Sequence, residues 1–212
     1  MSVERLFEII SPMISPDYIS VEQPKQATPV REHIVELFQT LVIFATIATI
    51  IYWLIAQPHK VSGASMFPNF HDGDYIITDK ITYKFSDPKR GDVVVFKNPR
   101  DETQDFIKRI MGLPGDSVKV QGGHVFVNGK QVNEGFLKPD VVTTPGSFMH
   151  EGQEVVVQPG EYLAMGDNRP HSSDSREWGF VTKQEIIGRV FVRYWPANQV
   201  GLWPAAYSLE KI

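Results

Sequence analysis

From Leu37 to Ile55 the chain runs LFQTLVIFATIATIIYWLI without one charged side chain. As an α-helix of about 19 residues rising ~1.5 Å each, this run spans roughly 30 Å, the thickness of a bilayer's hydrocarbon core. A buried helix of a water-soluble protein is usually shorter or shows a polar face. Tyr52 and Trp53 fall near the end of the run, where amphipathic rings suit the membrane interface, and Gln57-Pro58 is expected to stop the helix. A cleavable signal peptide has a shorter apolar core near the N-terminus, followed by small residues. Here the run begins late and ends on bulky Trp53-Leu54-Ile55. Residues 34–57 are therefore expected to form one membrane anchor. Lys25 and Arg31 on one flank against Lys60 on the other lean towards an internal N-terminus.

Residues 1–33 are read as a tail on the cytoplasmic side. Pro12, Pro16, Pro24 and Pro29 break most of it, and residues 2–13 can form a short amphipathic helix through Leu6, Phe7, Ile9 and Ile10. No function is assigned to the tail. At 42% hydrophobic and 22% charged residues, the chain as a whole is close to globular averages. A net charge of −4 with no basic block argues against nucleic acid as a partner. The absence of cysteine removes a disulfide framework, a thiolate metal site and a cysteine nucleophile together. His59, His71, His124 and His150 share no close ligand spacing, so neither a metal nor another cofactor is expected.

After the anchor, residues 58–212 read as a mainly β domain. Tyr75-Ile-Ile-Thr, Asp92-Val-Val-Val-Phe96 and Gly188-Arg-Val-Phe-Val-Arg-Tyr194 are rich in β-branched and aromatic residues. Val118-Lys-Val120 and Val125-Phe-Val127 are punctuated by Gly122-Gly123 and Asn128-Gly129, pairs that supply the positive φ of tight hairpins. Glu161-Tyr-Leu-Ala-Met165 and Trp178-Gly-Phe180 also look strand-like, and residues 182–187 look like a short helical turn.

Three polar clusters interrupt this pattern. Ser62-Gly-Ala-Ser-Met-Phe-Pro68 would hold Ser65 on a Gly/Pro-framed turn a few residues past the anchor; an ordinary turn serine looks the same. In Asp105-Phe-Ile-Lys-Arg-Ile-Met-Gly-Leu-Pro-Gly-Asp116, a strand puts Phe106, Lys108 and Ile110 on one face and Ile107 and Arg109 on the other. Burial of the first face would pull the Lys108 pKa down and make it a general base; a lysine snorkelling to water is the alternative. Gly166-Asp-Asn-Arg-Pro-His-Ser-Ser-Asp-Ser-Arg176 is a long polar loop in which Asp167, Asn168 and Ser172 can bond backbone, and Asp174 can pair with Arg109 or Arg176.

Together these clusters resemble bacterial signal peptidase I, over residues 37–203. Gly63-Ala-Ser-Met-Phe-Pro68 is similar to that family's nucleophile box, Lys108-Arg-Ile-Met-Gly-Leu-Pro-Gly-Asp116 to its lysine box, and Gly166-Asp-Asn-Arg169 with Ser172, Asp174, Ser175 and Arg176 to its last box. The resemblance implies Ser65 as nucleophile, Lys108 as general base, Ser172 as a hydroxyl orienting the lysine, and Asp174 with Arg176 as support. Arg109 and Asp167 are further supporting candidates. It also implies a β-rich catalytic domain outside the cytoplasm with a variable β insert, expected at residues 117–159.

Exported preproteins are the expected substrates, cut at the plasma-membrane surface near the secretion translocon. Met66, Phe70, Phe106 and Ile107 are candidates for lining small apolar pockets. Two departures stand out. Asn69 replaces the threonine of many members, a change expected to be tolerated. Gly63 stands where some members carry a serine for the oxyanion hole, the Gram-positive style of the box, which leaves the second donor open. Three rival readings run against particular residues. A triad through His171 leaves the lysine box without a purpose, an inactive binding module should lack Ser65 or Lys108, and a self-cleaving repressor has no use for a membrane span.

Overall fold

The computed structural model describes residues 30–203, so the helix expected at residues 2–13 lies outside the described residues. Helix α1 (Val30–Ile50) is prolonged by a π-helical turn, Ile51–Ile55. Its charges are confined to Arg31, Glu32 and Glu36, and none of its residues is buried. Among the described residues it is the one helix long and apolar enough to cross a membrane. A helix apolar all round needs lipid or a core around it.

The helical path stops at Ile55, before the expected Gln57-Pro58, because Ala56 turns extended (φ −145°, ψ 138°) and opens strand β1, Ala56–Lys60. Pro58 lies inside β1; as an edge strand, β1 can turn the missing N–H away from its neighbour. Strands β2 (Tyr75–Asp79), β3 (Val93–Asn98) and β4 (Asp101–Gly112) follow, with a helical turn α2 (Thr82–Phe85) between the first two. Then come β5 (Ser117–Gln121), β6 (His124–Val127), β7 (Lys130–Gln131), β8 (Val155–Val156) and β9 (Glu161–Met165). A helical turn α3 (Ser175–Trp178) precedes β10 (Val181–Thr182), β11 (Ile186–Trp195) and β12 (Gly201–Leu202).

These strands make two antiparallel sheets. The eight-stranded one has the order β1-β2-β11-β3-β4-β9-β10, with β12 also on β11. The four-stranded one, β7-β6-β5-β8, is built wholly from residues 117–156. Its two glycine-bearing turns have positive φ throughout: 58° and 85° at Gly122-Gly123, 52° and 77° at Asn128-Gly129. That backbone twist matches the twist of the strands they join. Val118, Val120, Val125 and Val127 alternate inward from this sheet onto Met111, Leu163 and Met165 of the larger one.

At the centre of the large sheet, β3 and β4 have hydrophobic packing on both faces. Val93 and Val95 share one face with Ile107; Val94 and Phe96 share the other with Phe106 and Ile110. The alternation expected around Lys108 is therefore the one observed.

Two local expectations are corrected. Trp178 ends α3 and is not strand, because the Asp174 carboxylate accepts from Arg176 N–H as an N-cap and Gly179 (φ 95°) terminates the turn. Residues 182–187 are not a helical turn. Val181–Thr182 pairs with β9, the Glu185 carboxylate accepts from Thr182 N–H at 2.6 Å across a tight turn, and β11 begins at Ile186.

Candidate active site

The segment after β1 is pinned by Val61 N–H to Asp74 O (2.8 Å) and Gly73 N–H to Val61 O (3.0 Å). Gly63 takes φ +86°, a conformation that disfavours any side chain, and its N–H is held by Asp72 Oδ1 at 2.8 Å. A compact turn follows, closed by Phe67 N–H to Ala64 O (3.1 Å) and Phe70 N–H to Met66 O (3.0 Å). Met66 and Phe70 drive this turn into the core, leaving Ser65 half-buried at the surface.

Lys108 comes from β4, and its Nζ lies 2.9 Å from Ser65 Oγ. Nζ also donates to Ile107 O at 3.0 Å and sits 4.9 Å from the centre of the Phe106 ring. The side chain is 3% exposed. Burial pulls its pKa from 10.5 down to about 8, against the carboxylates of Asp174 and Asp167, which favour the charged form; Arg176 adds a smaller downward push. Between those values the unfolded chain holds a proton that the folded chain has released. The cost of burying this lysine therefore shrinks as pH rises through that window. Among the described residues, Lys108 is the only hydrogen-bond partner of Ser65 Oγ. His171 and Ser173 line the same cleft, but neither bonds that oxygen.

The polar loop closes over the back of this pair. Asn168 N–H donates to Ser65 O at 2.9 Å, and Asn168 Nδ2 donates to Ala64 O at 2.9 Å. Arg109, on the opposite face from Lys108, grips Asp167 with two bonds, Nε to Oδ1 (2.8 Å) and Nη2 to Oδ2 (2.7 Å); neither side chain is exposed. Asp174 takes Arg176, through Nε and Nη2 at 2.8 Å each, and not Arg109. It also accepts from Gly166 N–H at 3.0 Å. Arg169 is buried as well, donating to Gly166 O, to Thr143 Oγ1 and to Glu134, and so ties the loop to the four-stranded sheet's long connection. Sequence reasoning expected Asn168 to bond backbone, as its side chain does at Ala64 O, but assigned no separate role to Arg169 and none to Glu134. The density of polar groups in the loop was the available signal, but their partners are distant in sequence.

Two expectations need correction. The Ser172 hydroxyl was expected to orient Lys108; it is buried and bonds no group of the described residues, facing Gly166 instead. Met66 and Phe70 were expected to line substrate pockets, yet at 1% and 0% exposure they are core beneath the turn. Phe106 and Ile107 do line the open cleft of about 330 Å³ that runs to Ser65 and Lys108. The cleft lies beside a stretch of β4 that is unpaired on one side among the described residues, because β9 joins β4 only from Arg109 to Gly112.

Residues 34–195 match the family model described as signal peptidase, peptidase S26. The chain belongs to that family. A probable signal peptidase I-2 of Synechocystis sp. is 40% identical over 84% of this chain and 81% of its own length. Signal peptidase I of Leptolyngbya laminosa is 35% identical over 90% of this chain and 92% of its own. Signal peptidase IB of Staphylococcus aureus (strain COL) is 30% identical over 80% and 93%.

At this candidate site, Gly166 is where the polar loop and the turn carrying Ser65 touch. A Cβ added there would lie 2.1 Å from Ser172 Oγ and 2.5 Å from Ser65 O. The backbone oxygen cannot swing aside as a side chain would. Gly166→Ala should therefore displace Ser65 and lower kcat/KM by roughly 100-fold or more, measured on a purified preprotein, while wild-type turnover would show that the two segments are not in fixed contact.

Proposed function

We propose that this chain is a membrane-bound serine endopeptidase that removes N-terminal signal peptides from exported preproteins, with Ser65 as nucleophile and Lys108 as general base. The contact that carries the reading is Ser65 Oγ against the buried Nζ of Lys108 at 2.9 Å, in a member of the peptidase S26 family. Membrane anchoring follows from the family and α1. The positive residues of the N-terminal flank favour a cytoplasmic N-terminus and an extracytoplasmic catalytic domain, working near the secretion translocon.

In the proposed mechanism, neutral Lys108 accepts the Ser65 hydroxyl proton as Oγ attacks the scissile carbonyl carbon. The Ser65 N–H, which has no partner among the described residues, is the available donor for the oxyanion; the Gly63 N–H is already committed to Asp72. The lysine ammonium then protonates the leaving amine, and the acyl-enzyme forms. A water then attacks the acyl carbon as it gives a proton to Lys108, and Lys108 returns that proton to Ser65 Oγ as the acyl C–O bond breaks, releasing the acid and regenerating the enzyme. The preprotein would enter as an extended strand along the unpaired stretch of β4, held at the bilayer by its own apolar segment.

Ser65→Ala and Lys108→Ala should each lower processing by at least ~10³-fold without unfolding the protein, and the double variant should be little worse, because the two act as a unit. Near wild-type turnover in either single variant would reject the dyad.

The base must be neutral, so kcat/KM should rise with pH through an apparent pKa near 8 and level off above it. His171→Ala should keep that limb; its disappearance in this variant would assign the base to His171.

Substrate geometry gives a separate check. Tight pockets reject bulk, and alternate residues of a strand face opposite sides, so the residues one and three before the cut should be small. In a panel of preproteins followed on gels, Phe at the first of these positions should stop cleavage and Phe between them should be tolerated. Equal cleavage of all variants would sink the signal-peptide reading while leaving a serine protease.

A further inference from the structure

Asn69 lies four positions after Ser65, in the same closed turn, and makes contacts that the dyad mechanism does not use. Its Nδ2 donates one proton to Asp167 Oδ2 at 2.8 Å and the other to Phe136 O at 2.9 Å. Its own backbone carbonyl accepts from Arg193 Nη1 at 3.0 Å, and Arg193 Nη1 is also 3.0 Å from Asp74 Oδ2. The Phe136 ring lies under the Arg109 guanidinium at 4.1 Å, and Lys138 Nζ stands 4.3 Å above the Phe67 ring. Three segments far apart in sequence thus converge on one amide: the nucleophile turn, the loop after Gly166, and the connection that leaves the four-stranded sheet.

The geometry closes on itself. Lys108 is covalently next to Arg109, Arg109 is doubly bonded to Asp167, Asp167 is bonded to Asn69, and the Asn69 turn carries Ser65 back to Lys108. We infer that Asn69 is a positioning residue: through Asp167 and Phe136 it fixes the nucleophile turn against β4 and so holds Ser65 Oγ on Lys108 Nζ. The inference rests on the Ser65–Lys108 reading above. Without the Asn69 amide, Asp167 loses a partner in a buried site and the turn loses its tie to both neighbouring segments. The turn then lifts from β4, and water reaches Nζ. A lysine that is less desolvated holds its proton more tightly, so its pKa climbs back towards the ordinary value.

The test uses the full chain in detergent and a purified preprotein, with kcat and KM measured across pH and folding followed by thermal melting. Asn69→Ala should lose about 10- to 100-fold in kcat at neutral pH with KM little changed, and its rising limb should move to higher pH. Asn69→Thr keeps one short-reach donor and should fall between Asn69→Ala and wild type on both measures. A merely structural role would scale activity with the folded fraction and leave the limb in place, and that outcome overturns the inference. So does wild-type kcat in Asn69→Ala. If Asn69→Ala is not recovered folded, the limb of Asn69→Thr decides by the same criterion. A wild-type profile with no rising limb would overturn the dyad itself, and a limb present but unmoved in the variants overturns the Asn69 inference alone.

Discussion

The burial of one amine organises this molecule. Lys108 is placed by the middle of β4 where the sheet has hydrophobic packing on both faces, and Ser65 lies on top of it at 2.9 Å. A charged ammonium is poorly tolerated there, and the same desolvation pulls the Lys108 pKa down to about 8. Stability and chemistry pull in opposite directions at this side chain, and the surrounding structure has to over-determine its position.

That surrounding structure is ionic. Arg109–Asp167 and Arg176–Asp174 are buried pairs with two bonds each, and Arg169 is a third buried guanidinium bonded to a carboxylate, a hydroxyl and a carbonyl. Such pairs are weak sources of net stability, but removing one partner leaves an uncompensated buried charge that costs about 3–5 kcal/mol. The loop carrying Asp167 to Arg176 therefore has little freedom to drift. Because Asn168 bonds the backbone oxygens of Ala64 and Ser65, that rigidity reaches the Ser65 turn directly. The four-stranded sheet joins the same arrangement through Glu134, Phe136 and Thr143, so it is fastened to the site as well as to the core.

Much of this was legible before any coordinates. Strands rich in β-branched residues, the Gly122-Gly123 and Asn128-Gly129 turns, and the uncharged run through α1 each carry a local signal, because backbone conformation and apolar periodicity are set within a few residues. The face alternation around Lys108 follows from the same period-two rule. Misreadings came where a polar side chain two or three residues away outweighed the apolar pattern. Trp178 looked like strand until the Asp174 cap and Gly179 were seen to frame a helical turn. Residues 182–187 looked helical until Glu185 was seen closing a tight turn between two strands.

By itself, the sequence determined that an apolar helix precedes a β-rich domain, and that Ser65, Lys108 and a polar loop from Gly166 to Arg176 lie in one order. Only the tertiary structure decided which carboxylate meets which arginine, that Met66 and Phe70 point down into the core while Phe106 and Ile107 face the cleft, and that Asn69 joins three segments. The reason is sequence distance. Each of those outcomes depends on which chain segment arrives opposite a given side chain, and no local propensity encodes an approach made by residues 67 or 98 positions away.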